Sequence, residues 1–220
     1  MTGPVIVSIK TALAAVSIIF IAGTAMAYGV HKIRIRLLCI VIDAMMMLPL
    51  VLPPTVTGFL LISVFGAQRP VGLFLEQTFG LRVVFTWGAA VVAAVVVALP
   101  LMYRAARGAF EQADDGLIQA ARTLGMREAA IFFKILLPLS APGLVTGLIL
   151  AGGRALGEFG ATVMIAGNIA GKTQTLPLAV YSAVAAGHME QAWRWAAILL
   201  VVSFFSVVAV GVLTLKAGRR

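Results

Sequence analysis

The sequence predicts an all-α, polytopic membrane helix bundle of about five spans, N-terminus outside and C-terminus inside, with one long cytoplasmic loop. Composition, block length and charge placement each point there. Apolar residues make up 61% of the chain and charged residues 11%, with a mean hydropathy of +1.06. A soluble chain of 220 residues needs a charged shell that 17 basic and 8 acidic side chains cannot supply. The apolar residues fall in blocks of the length that crosses about 30 Å of hydrocarbon at about 1.5 Å per residue. The net charge of +9 comes from Lys and Arg set between apolar blocks, not from a basic run interleaved with aromatics. It therefore reads as topology-setting charge in a lipid bilayer, with no nucleic acid as partner.

The blocks cover residues 8–30, 37–65, 83–103, 135–156 and 192–215 of a single transmembrane domain. The first block could pass for a signal peptide, since Ala25-Met26-Ala27 resembles a cleavage site. Only Lys10 precedes it, however, while Lys32, Arg34 and Arg36 follow, which anchors its C-terminal end inside. Between the second and third blocks, Val71–Gly80 reads as an amphipathic surface helix or re-entrant turn. Eleven of the basic residues then fall on the inner side, Lys216, Arg219 and Arg220 among them, and five on the outer, with Arg154 inside a span. Gly160–Gly187 reads as outer-face structure; a sixth, broken span is the alternative. No inverted repeat of the secondary-transporter kind is visible. A single cysteine, Cys39, excludes an internal disulfide and a Cys-rich metal site. No cofactor or metal is expected.

The inner loop, residues 104–134, is neither a polar tail nor a linker. Asp114 and Asp115 are placed to cap a short helix, Gly116–Leu124, and to put negative charge at its N-terminus. Gly125 supplies the left-handed residue that ends it. A second short helix, Met126–Phe133, leads to the Pro138 that opens the next span. The expected result is two helices at an angle on the cytoplasmic surface, with a small-residue face of Ala120 and Ala121 that another protein's backbone could approach.

Gln119-Ala120-Ala121, then Gly125, then Ile135, Leu137 and Pro138 reproduce the spacing of the "EAA" loop, and the chain resembles the permeases of binding-protein-dependent ABC importers. The resemblance implies that this loop forms the coupling helix held by a pair of cytoplasmic ATPase subunits. It also implies an extracytoplasmic binding protein, a second copy of the chain, and no ATPase of its own. Gln119 stands where that family often has Glu, which removes the charge for an ion pair with the ATPase. Gln119–Gly125, Arg154–Thr162, Ala166–Pro177 and Leu48–Gly58 look like the molybdate-type permeases, whose near relatives carry tungstate and sulfate.

Other features carry two readings each. Ala166-x4-Gly171-Lys172-Thr173 fits a loose phosphate-loop pattern, but it follows a span on the outer face and lacks a preceding strand, so a Gly/Asn turn is expected. Pro49, Pro53 and Pro54 interrupt the second block, either as a packing kink or as backbone lining a water-filled path. Gly143, Gly147, Ala151 and Ala155 form a smooth ridge, for close helix packing or for a dimer interface along a pore. Arg154 and Glu158 read as the one charged pair in or at the edge of a span, fixing helix geometry or gating an oxyanion path. An intramembrane enzyme would need a catalytic constellation at depth, and His31 and His188 fall outside the spans. An ion-coupled secondary transporter should carry several carboxylates within its spans, and only Glu158 comes near.

Overall fold

The computed structural model describes residues 3–33 and 35–217. Arg34, Arg219 and Arg220, counted above with the inner charges, lie outside the described residues, as does the side chain of Lys216. Helix α1, Gly3–His31, is an apolar run with no proline beyond its first turn. Its Ala12, Ala15, Ile19 and Ala27 are buried against the bundle. A Cβ added at Gly23 would meet Met102 Cγ at 2.8 Å, so the glycine is what lets α1 approach its neighbour.

The second block is two helices, not one kinked span. Helices α2, Arg36–Val51, and α3, Pro54–Phe65, diverge by 111° at the break. Consecutive prolines explain the site: neither Pro53 nor Pro54 can donate to the carbonyl four residues back, whereas the first turn of a new helix needs no such donor. Helix α4, Pro70–Phe79, is the short piece expected before the third block, and Gly80 ends it at φ +65°.

Helix α5, Trp87–Glu111, starts at Thr86, whose hydroxyl accepts from the Ala89 amide at 3.3 Å, and runs well past Tyr103. It is the centre of the bundle. Ala89, Ala90, Ala93, Ala94, Ala98 and Ala106 are all essentially inaccessible, and these small side chains allow α1 and later helices to crowd it. Next come α6, Asp115–Thr123, and α7, Glu128–Ile131. A π-helical turn, Phe132–Leu136, joins α7 to α8, Leu137–Leu156. The second loop helix expected near Met126–Phe133 is therefore the start of the next long helix, Glu128–Leu156, 29 residues end to end. Pro138 gives the reason for the π turn. It cannot donate to Lys134, and the register widens ahead of it, with the Leu137 amide donating to Phe132 O.

The chain closes with α9, Gly160–Ile165, α10, Leu176–Ala185, and α11, Met189–Ala217. Among the described residues four helices are long and apolar enough to cross a membrane, or five when α2 and α3 count as one broken span. The bundle has two distinct ends. At one, the Leu176 amide donates to Ser8 Oγ at 2.7 Å, Trp87 Nε1 to Thr11 Oγ1 at 3.0 Å, and the Phe85 amide to Ile165 O at 2.9 Å. At the other, Tyr28, Phe110 and Phe132 stack where α1, α5 and the π turn meet, and α6 lies across them.

Candidate functional site

Helix α6 is built to hold its shape at the surface. The Asp114 carboxylate accepts from the Gly116 amide at 2.7 Å, closing the N-terminus. At the other end the Gly125 amide donates to Arg122 O at 3.0 Å and the Met126 amide to Ala121 O at 3.1 Å. That reciprocal pair is a Schellman cap, and it requires the left-handed φ of +77° found at Gly125. Ile118 and Ala121 are 6% and 4% exposed and face the core beside Phe110, Ile131 and Leu136. Leu117 and Leu124, 51% and 83% exposed, point away from it with Ala120 between them.

The small-residue face expected at Ala120 and Ala121 is thus divided. Residues 120 and 121 are about 100° apart on a helix, so one alanine serves internal packing and the other the outer surface. Gln119 is exposed and borders a cleft with Tyr28, His31 and Lys32. Ile135 and Leu137 pack against the core, and Pro138 is exposed. Arg122 forks onto Glu128, Nε to Oε1 at 2.7 Å and a second nitrogen to Oε2 at 3.3 Å, tying α6 to the start of α7. This hydrogen bond holds the Arg122 guanidinium above its usual pKa. Lys32, 4.0 Å from the same carboxylate, brings the end of α1 into the cluster.

A second group of residues meets deeper in the bundle. Arg154 donates to Glu158 Oε2 at 2.6 Å, one helical turn on. The other oxygen, Oε1, accepts from the Ala161 amide at 2.8 Å, so Glu158 also caps α9. Glu158 is only 2% exposed. A side chain added at Gly160 would meet Pro54 Cβ at 2.7 Å and the Thr55 amide at 3.2 Å. The structure therefore brings Pro54 and the Arg154–Glu158 pair to one place, where the start of α3 abuts the start of α9. Pro53 is the N-cap of α3, whereas Pro49 stays within α2, before the break.

Of the two readings of the small-residue ridge, close helix packing holds, while the expectation of a single charged pair needs correction. The Gly143–Ala155 ridge packs inside the chain: a Cβ at Gly143 would meet Ala109 Cβ at 2.7 Å, one at Gly147 would meet Ala105, and Ala151 is fully buried. It is the α5–α8 contact, whose other half is the alanine-rich face of α5. Arg154 and Glu158 are not the only charged pair at depth. Asp43, within the second apolar block, pairs with Arg107, and an acidic residue inside an apolar run was the signal for it. The phosphate-loop pattern forms a Gly/Asn turn, as the sequence predicts. Gly167 and Gly171 take φ of +70° and +74°, and the fully buried Thr173 hydroxyl accepts from the Ile169 amide at 3.0 Å. A helix, not a strand, precedes it.

Residues 19–218 match the family model of the binding-protein-dependent transport system inner membrane component. The chain belongs to this family. This inner membrane component is 45% identical over 202 residues to the putative molybdenum transport system permease protein YvgM of Bacillus subtilis, covering 91% of this chain and 88% of that one. It is 48% identical over 161 residues to the molybdenum transport system permease protein ModB of Haemophilus influenzae, covering 73% and 70%. Among solved structures, its fold is similar to that of a chain from the inward-facing MetNI methionine ABC transporter, with a TM-score of 0.71 at 19% identity and coverage of 97% and 94%. That likeness extends to the fold alone. The component is a multi-pass inner-membrane permease subunit of an ABC transporter.

Proposed function

We propose that this chain carries molybdate across the cytoplasmic membrane as the permease of an ATP-driven importer. The observation that supports the substrate is the identity, over nine-tenths of the chain, to a relative named for molybdenum transport. What supports the mechanism is α6: a short helix capped at both ends, anchored inward by Ile118 and Ala121, and offering Leu117, Ala120 and Leu124 to a partner. An exposed apolar face on a soluble loop is the kind of surface that a protein partner covers. In this reading two copies of the chain sit on a pair of cytoplasmic ATPase subunits, and an extracytoplasmic binding protein delivers the oxyanion. ATP draws the two α6 helices together and turns the bundle outward, and hydrolysis resets it inward. The permease contributes no catalytic residue and no nucleotide site. Gln119, Ala120, Ala121, Gly125, Ile135, Leu137 and Pro138 make the coupling element. Pro49, Pro53, Pro54, Arg154 and Glu158 are assigned to the path and its wall.

The test is uptake of labelled molybdate in cells lacking other importers for it, with and without the Ala120→Trp variant and with excess tungstate or sulfate as competitor. Uptake should depend on the chain, fall at least tenfold with Ala120→Trp, and resist sulfate. Normal uptake by Ala120→Trp would overturn the coupling assignment. Sulfate or tungstate uptake lost while molybdate uptake persists would move the substrate and leave the importer in place.

A further inference from the structure

One charged cluster has no part in the site above. Asp43, in the third turn of α2, meets both the Tyr103 hydroxyl and the Arg107 guanidinium of α5. Arg107 also donates through Nε to Glu111 at 2.8 Å and through a terminal nitrogen to Tyr103 Oη at 3.2 Å. The Arg107 and Asp43 side chains are 17% and 22% exposed, and Tyr103 is fully buried. Charge balance alone would satisfy Asp43, because a lone carboxylate in an apolar span is costly. Two further observations give the cluster a mechanical place.

The first is how little else holds α2. Leu37, Leu38, Ile40, Val41, Met45 and Leu48 are all exposed, and Cys39 is the only buried residue of α2. Ile42, Met46 and Met47 add partly buried apolar contact. In lipid an apolar face gains little by choosing a protein neighbour over an acyl chain, so polar contacts and close packing decide register. The second is position. Arg107 and Glu111 are the end of α5, and Asp114, the N-cap of α6, follows three residues later. At its far end α2 leads through the 111° break into α3, whose first residues lie against Gly160 beside the Arg154–Glu158 pair.

We propose that the Asp43–Tyr103–Arg107–Glu111 network is the strut that passes movement of α6 to α2 and α3, with Asp43 its positioning residue. The inference rests on the reading of α6 as the coupling helix. Without the strut, α5 and α6 still move with the ATPase, but α2 slips along α5 and the break at Pro53 is no longer driven.

The experiment uses the full complex of permease, ATPase and binding protein in proteoliposomes, comparing wild type with Asp43→Asn and Asp43→Glu. Two readouts separate a strut from a merely structural contact. One is the number of ATP molecules hydrolysed per molybdate taken up. The other is the ATP-dependent change in amide exchange in α3 relative to that in α6. In Asp43→Asn, hydrolysis should continue while uptake falls at least tenfold, and the ATP response should persist in α6 and vanish in α3. Asp43→Glu should restore both in part. An α3 response retained in Asp43→Asn, or hydrolysis and uptake that fall in step or match wild type, overturns the proposal. A wild-type complex that fails to carry molybdate, yet has an α3 response that needs Asp43, defeats the substrate reading and leaves the strut standing. If Asp43→Asn does not assemble, Arg107→Lys replaces it: lysine keeps the charge but cannot reach Asp43, Tyr103 and Glu111 together. An unchanged ratio of hydrolysis to uptake in that variant overturns the proposal equally.

Discussion

Gly147 and Gly153 lie six residues apart on α8, and the same change, glycine to alanine, should raise stability at Gly153 and fail to raise it at Gly147. A helix interior gains about 0.8–1 kcal/mol when alanine replaces glycine. At Gly153 the added Cβ meets nothing within 4 Å, so that gain stands. At Gly147 it would run into Ala105 Cβ and come within 3.3 Å of Met102 Sδ. Neither contact is a flexible chain end free to swing aside, because Ala105 is fixed to the α5 backbone and Met102 is fully buried. Overpacking of this kind costs about 1–3 kcal/mol. The propensity gain is common to both sites, so the difference between the variants is the overpacking cost, about 1–3 kcal/mol in favour of Gly153→Ala. Gly143→Ala, with Ala109 Cβ at 2.7 Å, should follow Gly147→Ala.

The chain carries its own reporter for this measurement. Cys39 is the single cysteine and is buried and unpaired, so a thiol-reactive fluorophore reads unfolding directly during a thermal ramp in detergent. The Gly153→Ala midpoint should rise above wild type and the Gly147→Ala midpoint should fall below Gly153→Ala. Equal midpoints would refute the packing of α8 on α5. A dimer that dissociates in Gly147→Ala while the midpoint holds would return the ridge to an interface between copies.

Three further outcomes follow from the site. Asp114→Ala removes the side-chain cap of a nine-residue helix, at about 1 kcal/mol; exchange at Gly116 should quicken about fivefold, and Asp114→Asn, which caps equally well, should not differ from wild type. Gly125→Val places a β-branched residue at φ +77°, at roughly 1–2 kcal/mol, and should release the Met126 amide to exchange, while Gly125→Asn does so much less. Glu158→Leu leaves Arg154 unpaired and the Ala161 amide without an acceptor, so its midpoint should fall further than that of the Arg154→Leu/Glu158→Leu double variant; a double variant less stable than the single would contradict the paired reading.

What was legible in the sequence was local. The N-cap at Asp114, the left-handed stop at Gly125, the helix between them and the i,i+4 pair at Arg154 and Glu158 all depend on spacing within a few residues, and the structure has each of them. The membrane class was also legible, since it follows from composition and block length. The break at Leu52–Pro53 was half legible. Consecutive prolines mark where a helix must stop, but nothing local to Pro53 and Pro54 says by what angle the next one leaves. That angle is set by where α3 finds a partner, and its partner is α9, more than a hundred residues along the chain.

What stayed hidden was which way a side chain faces. Ala120 and Ala121 are one small pair in the sequence, yet the helix turns one outward to the surface and the other into the core. The Gly143–Ala155 ridge is visible as a stripe of small residues, but a stripe does not name what lies against it. The answer was present in the matching stripe of α5, where Ala98, Met102, Ala105 and Ala109 recur every three or four residues. Two complementary stripes on neighbouring long helices argue for each other more strongly than either argues for a second copy of the chain. Asp43 follows the same logic with charge in place of size. A carboxylate inside an apolar run needs a cation at the same depth, and on α5 the arginines available are Arg104 and Arg107. Arg107 has Tyr103 four residues before it and Glu111 four residues after it, so on a helix the three share one face. That face is where a carboxylate from another helix would find both a hydroxyl and a guanidinium. The pairing of Asp43 with Arg107 was thus within reach of the residues alone, once the carboxylate was taken as a question about its partner.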